Sequence, residues 1–362
     1  MDLLKRIGAH RAQDIWETET RLLHRIGIAR EPTAVQWLVT SACDLACPHC
    51  RSEAGKRGEG ELTTDEARRL LIDELVALGR PSLVLSGGEL FLRKDIPELI
   101  SYAVDQGLEW SMHSHGRHVE RFEELLRRHP PRLAAISLDG TEASHDRFRG
   151  RRGSHANALR AVRQLKEWGC EEVVIGTTIT RESADLVADL MPVVAESGAD
   201  SWGLHLLAPE GRGGRDAALM PTPAQLRRVA AFTRRKRATF PVELCNEWGG
   251  AGEDDYLYRD APFLCGAGRI TCVVTATGEV VPCMTSDAEE SEGNIRDDSL
   301  STIWAERFGR FRRSGEGAAS DGLECWLQSR NGNACREAAF GKGPATDVGP
   351  SAPRRRPLRV LP

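Results

Sequence analysis

Three cysteines with a spacing suited to metal binding lie near the start of the chain. Cys43, Cys47 and Cys50 fall within eight residues, directly after an apolar run at 35–40 that predicts a β-strand. Zinc sites normally use four ligands, commonly in separated CxxC pairs, whereas iron–sulfur clusters are held by thiolates of this kind. Three close thiols with no nearby fourth favour a 4Fe-4S cluster in which one iron has no protein ligand. A zinc or structural site is the alternative.

The segments around this motif predict an alternation of strands and helices. The expected strands lie at 35–40, 82–86, 108–112, 133–138, 172–178 and 202–207, and the expected helices include 64–78, 96–106, 154–168 and 183–197. Six strand–helix units in series imply parallel pairing with right-handed crossovers. We therefore predict an α/β fold, a partial (β/α)6 TIM-type barrel, with an open doubly wound sheet as second choice. The cysteines would then lie at the C-terminal edge of the barrel, where catalytic groups gather.

Composition and charge exclude several classes of protein. The chain has 362 residues, 40% hydrophobic and 28% charged, which is typical of globular proteins. Its 49 Lys and Arg against 53 Asp and Glu give a net charge of −4, which argues against broad binding to nucleic acid or anionic membranes. Neither a membrane-spanning run nor a signal peptide is recognisable, so we expect a cytoplasmic protein. In that reducing compartment, the chain's ten cysteines are expected to serve metals or catalysis more often than disulfides.

The three cysteines and later segments of the chain together resemble the radical SAM enzymes. The CxxxCxxC spacing is similar to the family's cluster-binding signature, and the resemblance covers roughly residues 35–340. The later segments are 86–89 (Ser-Gly-Gly-Glu), 136–140 (Ile-Ser-Leu-Asp-Gly) and 145–150, which contains Arg149. The resemblance implies that the thiols hold the 4Fe-4S cluster that works with S-adenosylmethionine (SAM).

The same resemblance implies which residues contact SAM. Gly87, Gly88 and Glu89 are expected to hold its methionyl amine, and Arg149 is expected near its carboxylate. The other expected cofactor contacts are Ser137 and Asp139 in the region that reaches the ribose, and His49 inside the cysteine motif. Taken singly, these residues are weak signals, because Gly-Gly and Asp-Gly pairs are common in tight turns.

A second group of cysteines resembles the SPASM and twitch modules that many radical SAM enzymes carry at their C-terminus. Cys265-x12-Gly278-x4-Cys283 is similar to the opening of that module, but Gln328 stands where a full SPASM motif has the thiol after Cys325. The five cysteines are too few for two fully thiolate-ligated cubes, so we expect one auxiliary 4Fe-4S cluster. Its expected ligands are Cys265, Cys283 and Cys335, with either Cys272 or Cys325 as the fourth, and a zinc site is the alternative.

The chain is expected to have four parts. A helical lead-in at 1–34 precedes the radical SAM core barrel at 35–240, a small cysteine-rich SPASM/twitch-like module follows at 241–340, and a flexible basic tail occupies 341–362. The module boundary falls where the strand–helix alternation gives way to loop-rich sequence. The tail combines five prolines with three consecutive arginines and has no apolar period.

Two further positions carry reactive groups. Cys245, at the expected junction of the barrel and the module, is a catalytic candidate whose thiol would donate a hydrogen atom to a substrate radical. An inert loop cysteine is the simpler interpretation. His113 and His115 follow the third strand, where we expect a solvated pair and keep a substrate-facing role as the alternative.

The resemblance implies radical chemistry on a C–H bond. SAM would be cleaved reductively to a 5′-deoxyadenosyl radical, with an electron donor such as flavodoxin or ferredoxin. If the substrate radical then loses an electron to the auxiliary cluster, the outcome is oxidation. We favour a cross-link or dehydrogenation in a ribosomally made peptide. The alternative is a dehydrogenase or epimerase of a sugar or aminocyclitol, a small-molecule substrate, with Cys245 as hydrogen donor.

Overall fold

Ten strands form a single sheet in the computed structural model, which describes residues 31–249, 251–260, 263, 265–286, 288–312 and 339–340. In chain order the strands are β1 (Ala34–Leu38), β2 (Ser82–Ser86), β3 (Trp110–Ser114), β4 (Leu133–Ser137), β5 (Glu172–Ile179), β6 (Ser201–Leu206), β7 (Val242–Leu244), β8 (Thr271–Val274), β9 (Glu279–Val281) and β10 (Gly293–Asn294). Their spatial order is β10-β9-β8-β1-β2-β3-β4-β5-β6-β7.

The strands β1 to β7 are parallel neighbours in chain order, which confirms the predicted partial barrel. A doubly wound sheet would reverse its strand order at a switch point, and β1 to β7 show no such reversal. The described sheet ends at β7 on one side and at β10 on the other, so the barrel is open.

The sheet extends beyond the six predicted barrel strands. The short strand β7 pairs with β6, where Val242 lies opposite Trp202. The strand β8 pairs in parallel with β1, and β9 and β10 then add in antiparallel fashion. The segment that contains β8, β9 and β10 is therefore hydrogen-bonded directly to β1, the strand that precedes the cysteine loop.

Helices connect the parallel strands. The first, α1, combines an α-helical turn (Thr64–Glu66), a π-helix (Ala67–Ile72) and an α-helix (Asp73–Ala77). The others are α2 (Ile96–Asp105), α3 (Glu123–Arg128), α4 (Glu142–Arg149), α5 (Ser154–Glu167), α6 (Ser183–Glu196), α7 (Gly211–Gly214), α8 (Pro223–Lys236), α9 (Leu300–Glu306) and α10 (Gly309–Arg312). Short 3-10 helices lie at Leu90–Leu92, Val119–Phe122, Ala217–Leu219, Asn246–Trp248, Gly252–Leu257 and Ala288–Glu290.

The helix α1 begins at a capping box formed by Thr63 and Glu66. Thr63 Oγ1 accepts a hydrogen bond from the backbone N–H of Glu66 (3.2 Å), and a Glu66 carboxylate oxygen accepts one from the Thr63 N–H (2.8 Å). One face of the helix is fully buried through Leu71, Ile72 and Leu75. Burying each such side chain contributes about 1.5–3 kcal/mol, so packing on the sheet, more than the cap, holds the helix.

Two of the predicted parts lie outside the described residues. These are the lead-in at 1–34, apart from its last four residues, and the basic tail at 341–362. Within the described part of the chain, no helix has the length and apolar character needed to span a bilayer.

Candidate active site

A buried carboxylate fixes the loop that carries the three cysteines. Glu61 Oε1 accepts hydrogen bonds from Thr40 Oγ1 (3.0 Å), the Ser41 N–H (2.9 Å) and the Gly58 N–H (3.1 Å). Burial raises the pKa of Glu61, but these bonds outweigh it and lower the pKa below its usual value. The loop after β1 is therefore held by the ionised side chain of Glu61, which positions the cysteines and is not itself an expected cluster ligand.

Arg212, on α7, holds the same loop through three hydrogen bonds to its carbonyl oxygens. Its guanidinium donates to the carbonyl oxygens of Cys47 (2.8 Å) and Ala54 (3.0 Å), and its backbone N–H donates to that of Cys50 (3.0 Å). Sequence reasoning missed this residue. The neighbouring Gly-Arg-Gly-Gly run at 211–214, at the C-terminal edge of the barrel, was the available signal.

The three thiols of the loop have different neighbours. Cys47 Sγ lies 3.7 Å from Arg149 Nη1, and Cys50 Sγ lies 3.6 Å from Ser52 Oγ. Cys43 lies beside Asp44 and His115, with ligand atoms of all three within 4.8 Å of one another. All three cysteines are free thiols on one short, fixed loop, which is a donor set that fits three irons of a 4Fe-4S cube.

The Gly-Gly-Glu segment packs backbone to backbone against the cysteine loop. Gly88 N–H donates to the Thr40 carbonyl and Glu89 N–H to the Ala42 carbonyl, both at 2.8 Å. Gly87 has φ of +122°, a conformation open only to glycine at low cost. A Cβ on Gly87 would lie 2.6 Å from the Thr40 carbonyl oxygen. Both glycines are therefore required by the close approach of the two loops.

Glu89 is completely buried and surrounded by donors from the end of β3. Both of its carboxylate oxygens lie 3.0 Å from Ser114 Oγ, and one accepts from the His115 N–H at 3.2 Å. The His115 ring also lies 3.2 Å from Glu89 and 3.1 Å from Asp44. Burial lowers the pKa of His115, but Glu89 and Asp44 outweigh it and raise the pKa to about 10.

The structure corrects the interpretation of the two histidines after β3. His115 is buried, with 6% of its surface exposed, so the predicted solvated pair is wrong for this residue. His113 is half-buried, with Nδ1 3.5 Å from Ser86 Oγ. His118, which sequence reasoning did not single out, is also buried, with its ring 3.2 Å from Asp44.

Asp139 and Arg149 form a buried ion pair next to the cysteine loop. Asp139 Oδ2 accepts from Arg149 Nε at 2.6 Å, while its other oxygen accepts from the Thr178 N–H at 2.8 Å. Burial raises the pKa of Asp139, but the Arg149 charge outweighs it and the pKa falls below its usual value. The Asp139 N–H donates to His145 Nδ1 at 3.0 Å. Both groups are thus charged where β4 ends.

The remaining expected SAM contacts lie on the same edge. The His49 ring stacks on Phe148 with centroids 4.7 Å apart and planes inclined by 8°. Burial, followed by the Arg149 charge, lowers the pKa of His49 to about 4, so this ring is neutral. Ser137 is the last residue of β4. The structure brings the predicted residues together, and their individual roles toward SAM stay predictions.

The described auxiliary cysteines belong to the segment around β8 and β9. Cys265 is buried, and Cys283 is half-buried with Sγ accepting from Thr285 Oγ1 at 3.3 Å. Cys272 lies inside β8, opposite Val35 of β1, and burial raises the pKa of its thiol to about 12. Cys325 and Cys335 lie outside the described residues, so the proposed ligand set stays a prediction.

Cys245 directly follows β7, and its Sγ lies 3.5 Å from Nε2 of His205 on β6. The other nitrogen of that ring lies 3.3 Å from Glu247. Sequence reasoning identified Cys245 but not His205, because these residues lie 40 positions apart and meet only through the pairing of β6 with β7.

A cysteine loop at the C-terminal edge of an open parallel barrel, followed by a second cysteine-bearing segment, defines an iron–sulfur enzyme. The family model of the Radical SAM superfamily matches residues 37–191, and that of the SPASM iron-sulfur cluster-binding domain matches residues 265–327. The chain belongs to the radical SAM superfamily and carries a SPASM domain. Its cofactors are a 4Fe-4S cluster that works with SAM and auxiliary iron–sulfur in the SPASM domain.

Known proteins resemble this chain over most of its length. The AdoMet-dependent heme synthase of Nitratidesulfovibrio vulgaris is 32% identical over 303 residues, which cover 78% of this chain and 82% of the relative. The PqqA peptide cyclase of Rhodopseudomonas palustris is 31% identical over 334 residues, which cover 87% and 86%. The structure of Streptococcus suis SuiB bound to S-adenosylmethionine has a TM-score of 0.66 at 16% identity and covers 89% of this chain and 79% of SuiB. At this level of identity, the similarity to SuiB shows that the two chains share a fold.

Proposed function

We propose that this radical SAM enzyme oxidises a C–H bond of a ribosomally made peptide, forming a cross-link or a double bond. The observation that carries the oxidative part is the pairing of β8 with β1. Cys272 of β8 lies opposite Val35 of β1, the strand that leads directly into the loop of Cys43, Cys47 and Cys50. The SPASM segment is therefore packed against the strand that carries the SAM-linked cluster, which favours an auxiliary cluster as the electron acceptor.

The bound cofactors supply a 5′-deoxyadenosyl radical when an external donor such as flavodoxin or ferredoxin provides one electron. The chain's own residues supply position and enclosure. Glu61 and Arg212 fix the cysteine loop, as described above. Glu89, buried beside Gly88, offers a carboxylate suited to an ammonium group, and Arg149 offers a cation suited to a carboxylate. These two charges match the two ends of an amino acid such as the methionyl part of SAM.

The peptide part of the proposal is supported by the relative named PqqA peptide cyclase, which matches this chain over nearly its whole length. Heme synthesis is a second candidate because the N. vulgaris heme synthase is also 32% identical over most of both chains. The two candidates share the radical step and differ in the substrate that must fit the mouth of the barrel.

The experiment is anaerobic reconstitution with iron, sulfide, dithionite and SAM, followed by mass spectrometry of 5′-deoxyadenosine and of offered substrates. These are precursor peptides encoded near the gene, iron porphyrins, and sugar or aminocyclitol intermediates. We expect one peptide to lose two daltons with formation of 5′-deoxyadenosine. A variant lacking Cys43, Cys47 and Cys50 is the control and should form none. Conversion of a porphyrin or a sugar alone would overturn the peptide assignment.

A further inference from the structure

Three reactive side chains meet at the C-terminal end of β6 and β7. His205 lies on β6, Cys245 follows β7, and Glu247 lies in the 3-10 turn that comes next. Two bonds to the Leu204 carbonyl anchor this segment: one from the Cys245 N–H at 3.0 Å and one from Trp248 Nε1 at 2.8 Å. The backbone that presents the thiol is therefore tied to the barrel.

The three side chains are arranged in series. Cys245 Sγ lies 3.5 Å from His205 Nε2, and Glu247 Oε1 lies 3.3 Å from His205 Nδ1. The thiol and the carboxylate contact opposite nitrogens of one ring. One ligand atom from each of the three residues also lies within 4.8 Å of the others, so bound metal is an outcome that the test below must distinguish. The order of thiol, imidazole and carboxylate is that of an activated nucleophile or base with its orienting group.

Glycines on two neighbouring strands make this arrangement possible. Gly176 of β5 lies opposite Gly203 of β6. A Cβ on Gly203 would lie 2.9 Å from Cys245 Sγ and 3.5 Å from His205 Nε2, and a Cβ on Gly176 would lie 3.5 Å from the same nitrogen. A side chain at Gly203 would displace the thiol, so this face of the barrel is shaped around the pair.

The charges around the unit support a cationic ring. Burial lowers the pKa of His205, but Cys245 and Glu247 outweigh it and raise the pKa well above its usual value. Burial raises the pKa of Glu247, yet the His205 charge lowers it overall. Among the described residues, Arg51, Arg259 and His113 also act on the unit, the last with its pKa lowered to about 4 by burial. A cation beside a cysteine favours the thiolate over the thiol.

We propose that Cys245 is the base that takes the substrate proton during oxidation, held as a thiolate by His205 and Glu247. This inference rests on the proposed oxidative function. In the balanced step, the substrate loses one hydrogen atom to the 5′-deoxyadenosyl radical, one electron to an acceptor of the iron–sulfur class and one proton to Cys245. A new bond forms within the substrate, so the product has two hydrogens fewer than the substrate. The protonated Cys245 thiol then returns its proton to water.

The proposal changes the role expected for Cys245 from the sequence. A hydrogen-atom donor needs an intact S–H bond, and a thiolate has none. A Cys245 thiolate, held by His205 and Glu247, therefore favours oxidation over epimerisation at this site.

The test is the alkylation rate of Cys245 in the reconstituted holoenzyme, which requires no substrate. The holoenzyme is treated anaerobically with iodoacetamide between pH 6 and pH 8.5, and each cysteine is followed by peptide mass spectrometry. Cys245 is half-buried and the His205 side chain beside it is 42% exposed, so the reagent can reach the thiol. We expect the Cys245 rate to rise much less over this range than the rate of an ordinary thiol, which gains about a hundredfold. Buried Cys170, whose pKa burial raises to about 11, is the internal control and should not react.

Two conservative variants test the partners. Glu247→Gln and His205→Gln should each lower the Cys245 rate at pH 6 by about tenfold or more and restore an ordinary rise with pH. Unchanged iron content would show that these variants fold. The proposal is overturned if the Cys245 rate of the parent protein already rises about a hundredfold and stays the same in both variants. It is also overturned if the parent binds stoichiometric zinc that His205→Gln loses. If no peptide is converted while Cys245 shows the expected alkylation profile, the proposed substrate is overturned and the thiolate is established.

Discussion

Gly88 lies against the backbone of Ala42 so closely that even a methyl group has no room. A Cβ on Gly88 would lie 2.1 Å from the Ala42 carbonyl oxygen and 2.7 Å from the carbonyl carbon. Backbone atoms held by the hydrogen bonds of a loop cannot move aside as the end of a flexible side chain can. The segment that presents Glu89 and the loop that presents Cys43 are therefore one packed unit.

Gly88→Ala should accordingly disturb the loop of the SAM-linked cluster. We expect the reconstituted variant to lose up to about four irons per chain, the content of one cube, with loss of SAM cleavage. Gly55→Ala is the matched control, because Gly55 lies in the same loop and a Cβ there would meet nothing within 4 Å. Full iron content and SAM binding in Gly88→Ala would show that the two loops move independently.

Glu89→Gln should separate charge from packing at the buried carboxylate. The amide keeps the size of the side chain but removes the negative charge that would pair with an ammonium group. We expect SAM affinity to fall about tenfold or more, since a hydrogen bond to a charged group contributes about 1.5–3 kcal/mol. Iron content should remain unchanged. Equilibrium dialysis with labelled SAM and an iron assay measure the two quantities, and loss of both together would make Glu89 a structural residue.

Much of the barrel is predictable from sequence because its strands have strong local signals. The strand at 82–86 is placed correctly to the residue, and the capping box at Thr63 marks the start of α1. Ser154 and Ser183 begin two of the expected helices and are residue types that often cap helices, yet each is already helical and the N-cap positions are Gly153 and Glu182. Ser183 Oγ instead donates to the Thr178 carbonyl at 2.6 Å.

The site is predictable only where its residues follow one another along the chain. The cysteine motif and the Gly-Gly-Glu segment are short and contiguous, so each can be matched to the family's motifs from the sequence. Arg212 contacts a loop 165 positions earlier, and His115 reaches Asp44 across 71 positions. Such contacts depend on which strand ends meet at the barrel edge. No local periodicity encodes that information.

Iron content tests the number of clusters. We expect about eight irons per reconstituted chain, about four for each of two cubes. A variant with Cys43, Cys47 and Cys50 all changed to alanine should retain about half, because the SPASM cysteines are untouched. Recovery of only about four irons in the parent would eliminate the auxiliary cube. The measurement is colorimetric iron with protein quantified by amino-acid analysis.

Arg149→Ala should destabilise the protein strongly, apart from any effect on SAM. The substitution leaves the Asp139 carboxylate, only 3% exposed, without its cation. Breaking a buried pair in this way typically costs about 3–5 kcal/mol, because the remaining charge is neither solvated nor neutralised. We expect a clear fall in the midpoint of anaerobic urea unfolding followed by circular dichroism. Adding Asp139→Asn should recover part of the loss, since a neutral amide can still accept from the Thr178 N–H.

The matched control for Arg149 lies two residues earlier on the same helix. Arg147 pairs with Glu182 on the surface, and the two side chains are 64% and 48% exposed. Exposed pairs contribute about 0–1 kcal/mol because water screens both charges, so Arg147→Ala should leave the midpoint nearly unchanged. Equal midpoints for the two single variants would contradict a structural role for the Asp139–Arg149 pair. Arg149 would then act only through its contact with Cys47 or SAM, and its removal should lower SAM affinity without changing the unfolding midpoint.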